Sequence, residues 1–376
     1  MPLTFVIASR NLFQDRLRFI ATIVGIVFSI VLVTVQMGLF LGFERMVTTM
    51  IDHTPADLWI VPLGTKCFED PAMMDSTNRR KAMSVPGVAD AVPMVIGFAQ
   101  WDVPRHGGVT PVIVVGSSDQ GLRPWNVIQG NAADLWKPAA VAVDRTYFPR
   151  LGIRALGDDT TMREHDVHVS AVTDGIRSFT TTPFVFTTAD RARTYIGTSP
   201  NKISYLLVHV SQGQDTDRVR TALLGRLKDV EVLTPAQFSD RSRVFWLFST
   251  GAGAALFAGA LLGAIVGIVI VAQTLYSSTK DHLGEFVTLR AIGSSSLYIY
   301  RVIGTQALLS AVIGFSLAAL IALIVVYATS DTALPILMTP QVTLSLFLLT
   351  VAMCMIAAIA AIVQVTRIEP ASAFRQ

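Results

Sequence analysis

Between residues 277 and 293 the chain reads Ser-Ser-Thr-Lys-Asp-His-Leu-Gly-Glu-Phe-Val-Thr-Leu-Arg-Ala-Ile-Gly. A short helix is expected here, because Ser278 and Asp281 have capping-box spacing and Gly293 suits the position just past a helix end. In such a helix Leu283, Phe286, Val287 and Ala291 form an apolar stripe opposite Lys280, Asp281 and His282. The chemistry on offer is recognition, an apolar face to bury with charges of both signs beside it. Two uses fit: the helix lies on lipid headgroups, or it docks in a groove of a cytoplasmic partner protein.

Bond-making chemistry has no comparable constellation. His165 and His168 have metal-like spacing, yet no Cys or third His stands near them in sequence, and a polar turn leading into a strand at Val167 accounts for them. Asp158, Asp159 and Glu164 read as a solvated loop. No metal site, cofactor site or catalytic residue is expected in this chain. It also lacks a Gly-x-x-x-x-Gly-Lys-Ser/Thr phosphate loop, so any ATP-driven process must borrow its energy from another protein.

The elements that must position the 277–293 segment are membrane helices. A chain of 376 residues with 15% charged residues and a mean hydropathy of +0.53 has too little polar surface for solution. Four stretches free of Asp, Glu, Lys and Arg each exceed the roughly 20 residues that cross about 30 Å of hydrocarbon. They are 19–43, a second within 244–276, a third that begins after Arg301 and reaches 329 inside a helix expected over 297–329, and 341–365. The first, preceded by a basic segment, is expected to be an uncleaved signal anchor, since its apolar run is too long for a signal peptide.

Lys and Arg near helix ends are retained in the cytoplasm. Arg10, Arg16 and Arg18 precede the first span, Lys280, Arg290 and Arg301 lie between the second and third, and Arg367 and Arg375 follow the fourth. Both termini and the 277–296 loop are therefore expected in the cytoplasm of a bacterial inner membrane, and 44–243 and the short loop 330–340 outside it. The outer segment Glu44 to Arg243 holds 22 Lys plus Arg against 22 Asp plus Glu, so the basic pI reflects topology and not nucleic-acid binding. Residues 1–18 show Leu3, Val6, Ile7, Phe13 and Leu17 at helical spacing; this segment either lies flat on the inner surface or continues the first helix. Cys67 lies in the outer segment and Cys354 in the fourth span, at different depths, so the two cannot readily pair.

The expected fold class is thus membrane α-helical plus α/β: four transmembrane helices in a one-plus-three arrangement, with a large mixed α/β extracytoplasmic domain between the first and second. Strand candidates are Leu58–Val61, Pro111–Val115, Ala140–Val143, Val167–Val172 and Ile203–Val210. The stretch Ile203–Val210, Asp217–Lys228, Val230–Leu233 reads strand, helix, strand. A helix-then-strand signal through Ser84–Val88 into Ala91–Phe98 joins it in one α/β layer, with about 109–200 as a β-rich insertion. As a single helix, Phe245–Tyr276 would reach about 48 Å, enough to project from the bilayer as a stalk. Trp246 and Tyr276 bracket it as interfacial anchors. Gly259, Gly263 and Gly267 repeat every fourth residue, which lets another backbone approach closely, from this chain or from a second subunit. Ser29, Thr34 and Gln36 in the first span serve helix packing or a lateral cleft; Ser29, Gln36 and Glu44 are the candidate cargo contacts.

The 277–293 segment also resembles the signature of the FtsX-like permease family, in which a basic residue, a Glu and then Leu-Arg-Ala-Ile-Gly follow the second span. Here these are Lys280, Glu285 and Leu289, Arg290, Ala291, Ile292 and Gly293. Ala8-Ser9-Arg10-Asn11-Leu12 with Arg16 and Thr22–Ile26 is similar to the family's N-terminal elbow and first helix, and Thr366–Pro370 with Phe374-Arg375 to its tail. Within the MacB/FtsX-like permeases, Ala56–Val61 and the size of the outer domain look most like DevC-type permeases of adaptor-linked exporters. Family loops usually read Glu-Arg followed by Glu-Ile-Gly, where this chain has Lys280-Asp281 and Glu285-Phe286-Val287. The resemblance implies a mechanotransmission machine: two permease copies on two ABC ATP-binding subunits that hold ATP and Mg, with Lys280, Leu283, Glu285, Phe286 and Leu289–Gly293 gripped by the ATPase. It further implies a periplasmic adaptor (membrane fusion) protein, an outer-membrane channel and efflux of a hydrophobic or amphiphilic cargo. The other function in the family is transmission of a signal to a periplasmic cell-wall hydrolase, in relatives whose outer domain is usually smaller.

Overall fold

The computed structural model describes residues 3–14, 16–70, 72–104, 107–118, 120–281 and 296–366. The helices are α1 (Leu3–Gln14), α2 (Arg16–Asp52), α3 (Thr77–Met83), α4 (Phe148–Leu151), α5 (Ala189–Ile196), α6 (Thr216–Arg226), α7 (Pro235–Val244), α8 (Ala252–Asp281), α9 (Ser296–Thr329) and α10 (Pro340–Thr366). The strands are β1 (Leu58–Pro62), β2 (Met74–Asp75), β3 (Val88–Asp102), β4 (Val109–Ser117), β5 (Val127–Gly130), β6 (Ala140–Asp144), β7 (Asp159–Met162), β8 (His165–Thr173), β9 (Phe184–Thr188), β10 (Lys202–Ile203), β11 (Tyr205–Val210) and β12 (Val230–Leu233). Two units result: a helical one drawn from Met1–Leu41, Ala254–Ser330 and Pro335–Gln376, and an α/β one from Gly42–Gly253 with Asp331–Leu334.

Among the described residues four helices are long and apolar enough to cross a membrane, one ahead of the α/β domain and three after it. The first outlasts its apolar stretch: α2 runs on past Phe43 to Asp52, because nothing between Phe43 and Asp52 is Gly or Pro. It ends ahead of Pro55, which disfavours helical backbone at the residue before it. In α1, Ile7 and Ala8 pack on Tyr298, Val302 and Leu309 of α9, so this helix has a protein partner for its apolar face. Helices α9 and α10 approach through small side chains, with Ala307, Ala311 and Ala318 clustered with Cys354, Ala357 and Ala358. Lipid gives no hydrophobic drive for such association, so close packing must supply it.

The second span departs from the single long helix expected. A π turn at Phe245–Ser249 and Gly251 at φ 76° interrupt it, and α8 starts only at Ala252. Gly251 takes a left-handed conformation that costs other residues about 1–2 kcal/mol. At the other end α8 continues through Asp281, so Ser277–Asp281 belong to this helix, because no Gly or Pro there stops propagation; the rest of the expected short helix lies outside the described residues.

In the α/β unit the main sheet has the order β12-β1-β11-β3-β4-β9-β6-β8-β5, with β7 paired to β3 and β8. Its first four strands make the split β-α-β arrangement of ferredoxin-like folds. Both β12 and β3 are parallel to the strand they follow through a helix, but an antiparallel strand lies between: β1 separates β11 from β12, and β11 separates β1 from β3. The expected strand, helix, strand unit is present with that insertion. Strand β3 joins two regions, pairing β11 through Val88–Met94 and β4 through Val95–Asp102. Both sheet faces are covered. Leu58, Ile60, Val95, Val112 and Val114 lie in one core with Ala192 and Tyr195 of α5 and Val219 and Leu223 of α6. Trp59, Val61, Met94, Ile96 and Tyr205 lie in the other with Phe238 of α7 and Met50 and Ile51 of α2. Burial on both faces explains why the strands read as continuous apolar runs.

The stretch expected as a solvated loop is a hairpin. Asp159 opens β7, and Arg163 and Glu164 at φ 47° and 65° form the two-residue turn into β8, the twist-matched type that needs positive φ at both positions.

Candidate functional site

The three glycines of α8 meet α2 of the same chain. A Cβ on Gly259 would fall 2.9 Å from Gln36 Cδ, one on Gly263 3.1 Å from Val33 Cγ2, and one on Gly267 2.2 Å from Ser29 Oγ. Gly25 of α2 extends the seam, with Ile270 Cγ2 where its Cβ would sit. Contacts move down α8 as they move up α2, so the helices run antiparallel with their backbones nearly touching. Ser29 is fully buried, and its Oγ donates to the Gly263 carbonyl at 2.6 Å. The glycine face therefore packs within the chain, and Ser29 and Gln36, considered for a cargo cleft, face this seam. Gly314 of α9 admits Ile26 on another side of α2.

A second constellation, in the α/β unit, surrounds the π turn. Trp246 Nε1 donates to Glu69 Oε2 at 3.2 Å, and its ring packs on Phe179 and Phe245 at centroid distances of 4.3 and 5.1 Å. Phe179 also meets Phe43 at 4.8 Å, and Lys66 Nζ stands 5.8 Å over Phe245. Glu69 is buried, and loss of solvent pushes its carboxyl from 4.5 up to about 7. Nearby Cys67 is pushed up to about 12, first by burial and then by the Glu69 charge, which leaves little nucleophilic thiolate. Glu44 Oε1 lies 3.7 Å from Arg243 Nε with both side chains partly exposed, a pair worth under about 1 kcal/mol. Nothing in the sequence distinguished Glu69 from an ordinary loop charge; only the fold brings Trp246 over it.

Of the 277–293 segment, Leu283, Glu285, Phe286, Leu289, Arg290, Ala291, Ile292 and Gly293 lie outside the described residues. Lys280 is described: it sits exposed in the last turn of α8, so that helix leads directly into the segment. His168 Nδ1 lies 2.7 Å from Asp159 Oδ1 across the β7–β8 pair. Among the described residues no three His, Cys, Asp or Glu side chains converge as metal ligands do.

A family model described as the MacB-like periplasmic core domain matches residues 19–225, and one described as the FtsX-like permease C-terminal matches 241–370. Solved structures to which the chain is similar include the periplasmic region of MacB from Actinobacillus actinomycetemcomitans, at 11% identity and a TM-score of 0.38, covering 52% of this chain and 94% of its own. The extracellular domain of the noncanonic ABC-type transporter YknZ from Gram-positive bacteria is similar at 15% identity and a TM-score of 0.34, covering 48% and 99%. A domain of a putative permease from Porphyromonas gingivalis is similar at 14% identity and a TM-score of 0.32, covering 48% and 90%. No curated protein matches the chain.

Two outcomes are expected. Replacing a helical Gly by Ala gains up to about 1 kcal/mol of helix propensity, whereas overpacking costs about 1–3 kcal/mol. With 2.2 Å available at Gly267 and 3.1 Å at Gly263, Gly267→Ala lowers the melting temperature in detergent while Gly263→Ala stays near wild type; equal melting of all three proteins would contradict the seam. For Glu69, a folded pKa raised to about 7 from 4.5 means its protonated form is favoured below pH 4.5, and that stability is lost as pH rises through 7. Glu69→Gln therefore stabilises the protein at pH 8, by up to about 3 kcal/mol, and has little effect at pH 4.5. Thermal melts at the two pH values check this, and a destabilised variant at pH 8 would refute it.

Proposed function

This chain belongs to the family that joins a MacB-like periplasmic core domain to an FtsX-like permease C-terminal part, and we propose from that membership that it is the membrane-spanning subunit of an ABC-type exporter. Permeases of this family work with an ATPase partner, and four apolar helices suit an inner-membrane protein. In the proposed assembly two copies of the chain sit on two ATP-binding subunits. Closure of the ATPases on ATP and Mg moves the 277–296 loop, and the α/β domain moves in response.

The observation that carries this reading is the connectivity of α8. Its last turn, with Lys280, enters the loop, and its glycine face is closely packed on α2. The chain enters the α/β unit through α2 and leaves it towards α8. A displacement of the loop is thus delivered to a tightly packed pair of helices that carry both ends of that unit, and little is lost to slack between them.

The cargo is proposed to be hydrophobic or amphiphilic. The four apolar stretches read from the sequence contain no Asp, Glu, Lys or Arg, and charged cargo or proton relays need such groups at depth. A large α/β domain favours export over hydrolase signalling, and a DevC-like link to a periplasmic adaptor and an outer-membrane channel fits that choice.

Glu285→Ala and Arg290→Ala are expected to leave complex assembly intact and to weaken the coupling of ATP hydrolysis to transport by about fivefold or more, the range of ordinary coupling energies. The check is co-purification with the ATPase followed by hydrolysis and transport assays in nanodiscs. Wild-type transport by both variants would count against the lever. Co-elution of a peptidoglycan hydrolase in place of an adaptor would favour signalling.

A further inference from the structure

A cleft of ≈ 510 Å³ opens in the α/β unit beside α3, lined by Arg79, Arg80, Arg193, Asn201, Pro93 and Pro200 among others. Two of the three guanidinium groups are fixed in advance. Arg193 Nε donates to the Lys202 carbonyl at 2.9 Å and its Nη1 to Asp190 Oδ1 at 2.6 Å, which holds the side chain at 13% exposure. Arg79 Nε donates to the Ala91 carbonyl at 2.7 Å, with Nη2 3.5 Å from Asp90. Arg80 lines the cleft from α3 and is exposed. Asp75 is the only carboxylate among the described lining residues, and it accepts from the Thr77 backbone N–H at 2.8 Å.

The local charge is unbalanced. Arg79, Arg80, Lys81, Arg193 and Lys202 stand against Asp75, Asp90 and Asp190, five cations to three anions, in a segment whose charges sum to zero. Planar guanidinium forks match carboxylates two bonds at a time, and forks already immobilised lose little entropy on doing so. A bare inorganic anion would leave most of the cleft empty, since even a water molecule claims only about 30 Å³. The two prolines offer apolar surface beside the arginines. An extended chain with carboxylates at intervals and apolar side chains between them satisfies both features.

We propose that this cleft receives an acidic, extended segment of a partner protein found on the same side of the membrane as the α/β unit. The inference goes beyond export and holds equally for a signal-transmitting permease, so loss of either reading leaves the other standing.

The test uses the full chain in phosphatidylcholine nanodiscs and a fluorescein-labelled peptide of alternating Glu and Leu, read by anisotropy, with the Gln/Leu peptide as its neutral counterpart. The acidic peptide binds at least about tenfold tighter than the neutral one. Arg80→Glu, an exposed change that leaves the fold intact by circular dichroism, abolishes that preference, and Arg193→Lys, which keeps the charge and loses the fork, weakens it. Lys228→Glu, outside the cleft, leaves it unchanged. Equal binding by wild type and Arg80→Glu would overturn the proposal. So would displacement of the peptide by equimolar inorganic phosphate, which would mark a simple anion hole, or by equimolar glycerol phosphate, which would point to an anionic lipid headgroup.

Discussion

Between two helices in lipid there is no water to expel, so whatever holds them together must come from contact itself. In this chain that contact is the α2–α8 seam, where Gly25, Gly259, Gly263 and Gly267 remove side chains from the interface and Ser29 donates a hydrogen bond to the opposing Gly263 carbonyl. The remaining membrane packing is arranged around it. Ile26 of α2 enters the space left by Gly314 of α9, and Met353 of α10 approaches Gly267 from the side. A helix pair this close has few alternative registers.

The α/β unit shows the same economy in another medium. Its sheet buries both faces, so each strand serves two cores at once, and long β3 makes one sheet of the ferredoxin-like half and the strands beyond β4. Where the chain passes from α7 towards α8 it abandons regular helix for a π turn and a left-handed glycine. A buried carboxyl on Trp246 and a group of aromatic rings brace that irregular stretch. Irregular backbone at a junction between two regular helices is a common position for a hinge.

Much of this could be read from residue types. Uncharged runs longer than a bilayer is thick revealed the four spans, and the short apolar runs Ala140–Val143 and Val167–Val172 revealed strands that the structure gives as β6 and β8. Lys280, Glu285 and the Leu289–Gly293 motif pointed to the permease family before any fold was in view. Other features were hidden for definite reasons. The glycine spacing announces a close approach without naming what approaches, so only coordinates place α2 opposite α8. A helix-compatible sequence from Phe245 onward conceals the break, because Ser, Thr and Gly are residue types that membrane helices also contain. The pairing of Glu69 with Trp246 joins residues 177 apart, and no local pattern signals it.

Export as proposed requires the segment after Lys280 to be a cytoplasmic handle held by an ATP-driven subunit. The most direct test places a photoreactive amino acid at Phe286 in intact cells, irradiates, and identifies the attached protein by mass spectrometry. The account predicts an ATP-binding subunit as the main adduct, diminished when that subunit is deleted. Attachment to lipid alone, or labelling of the same position by a reagent confined to the cell exterior, would contradict it.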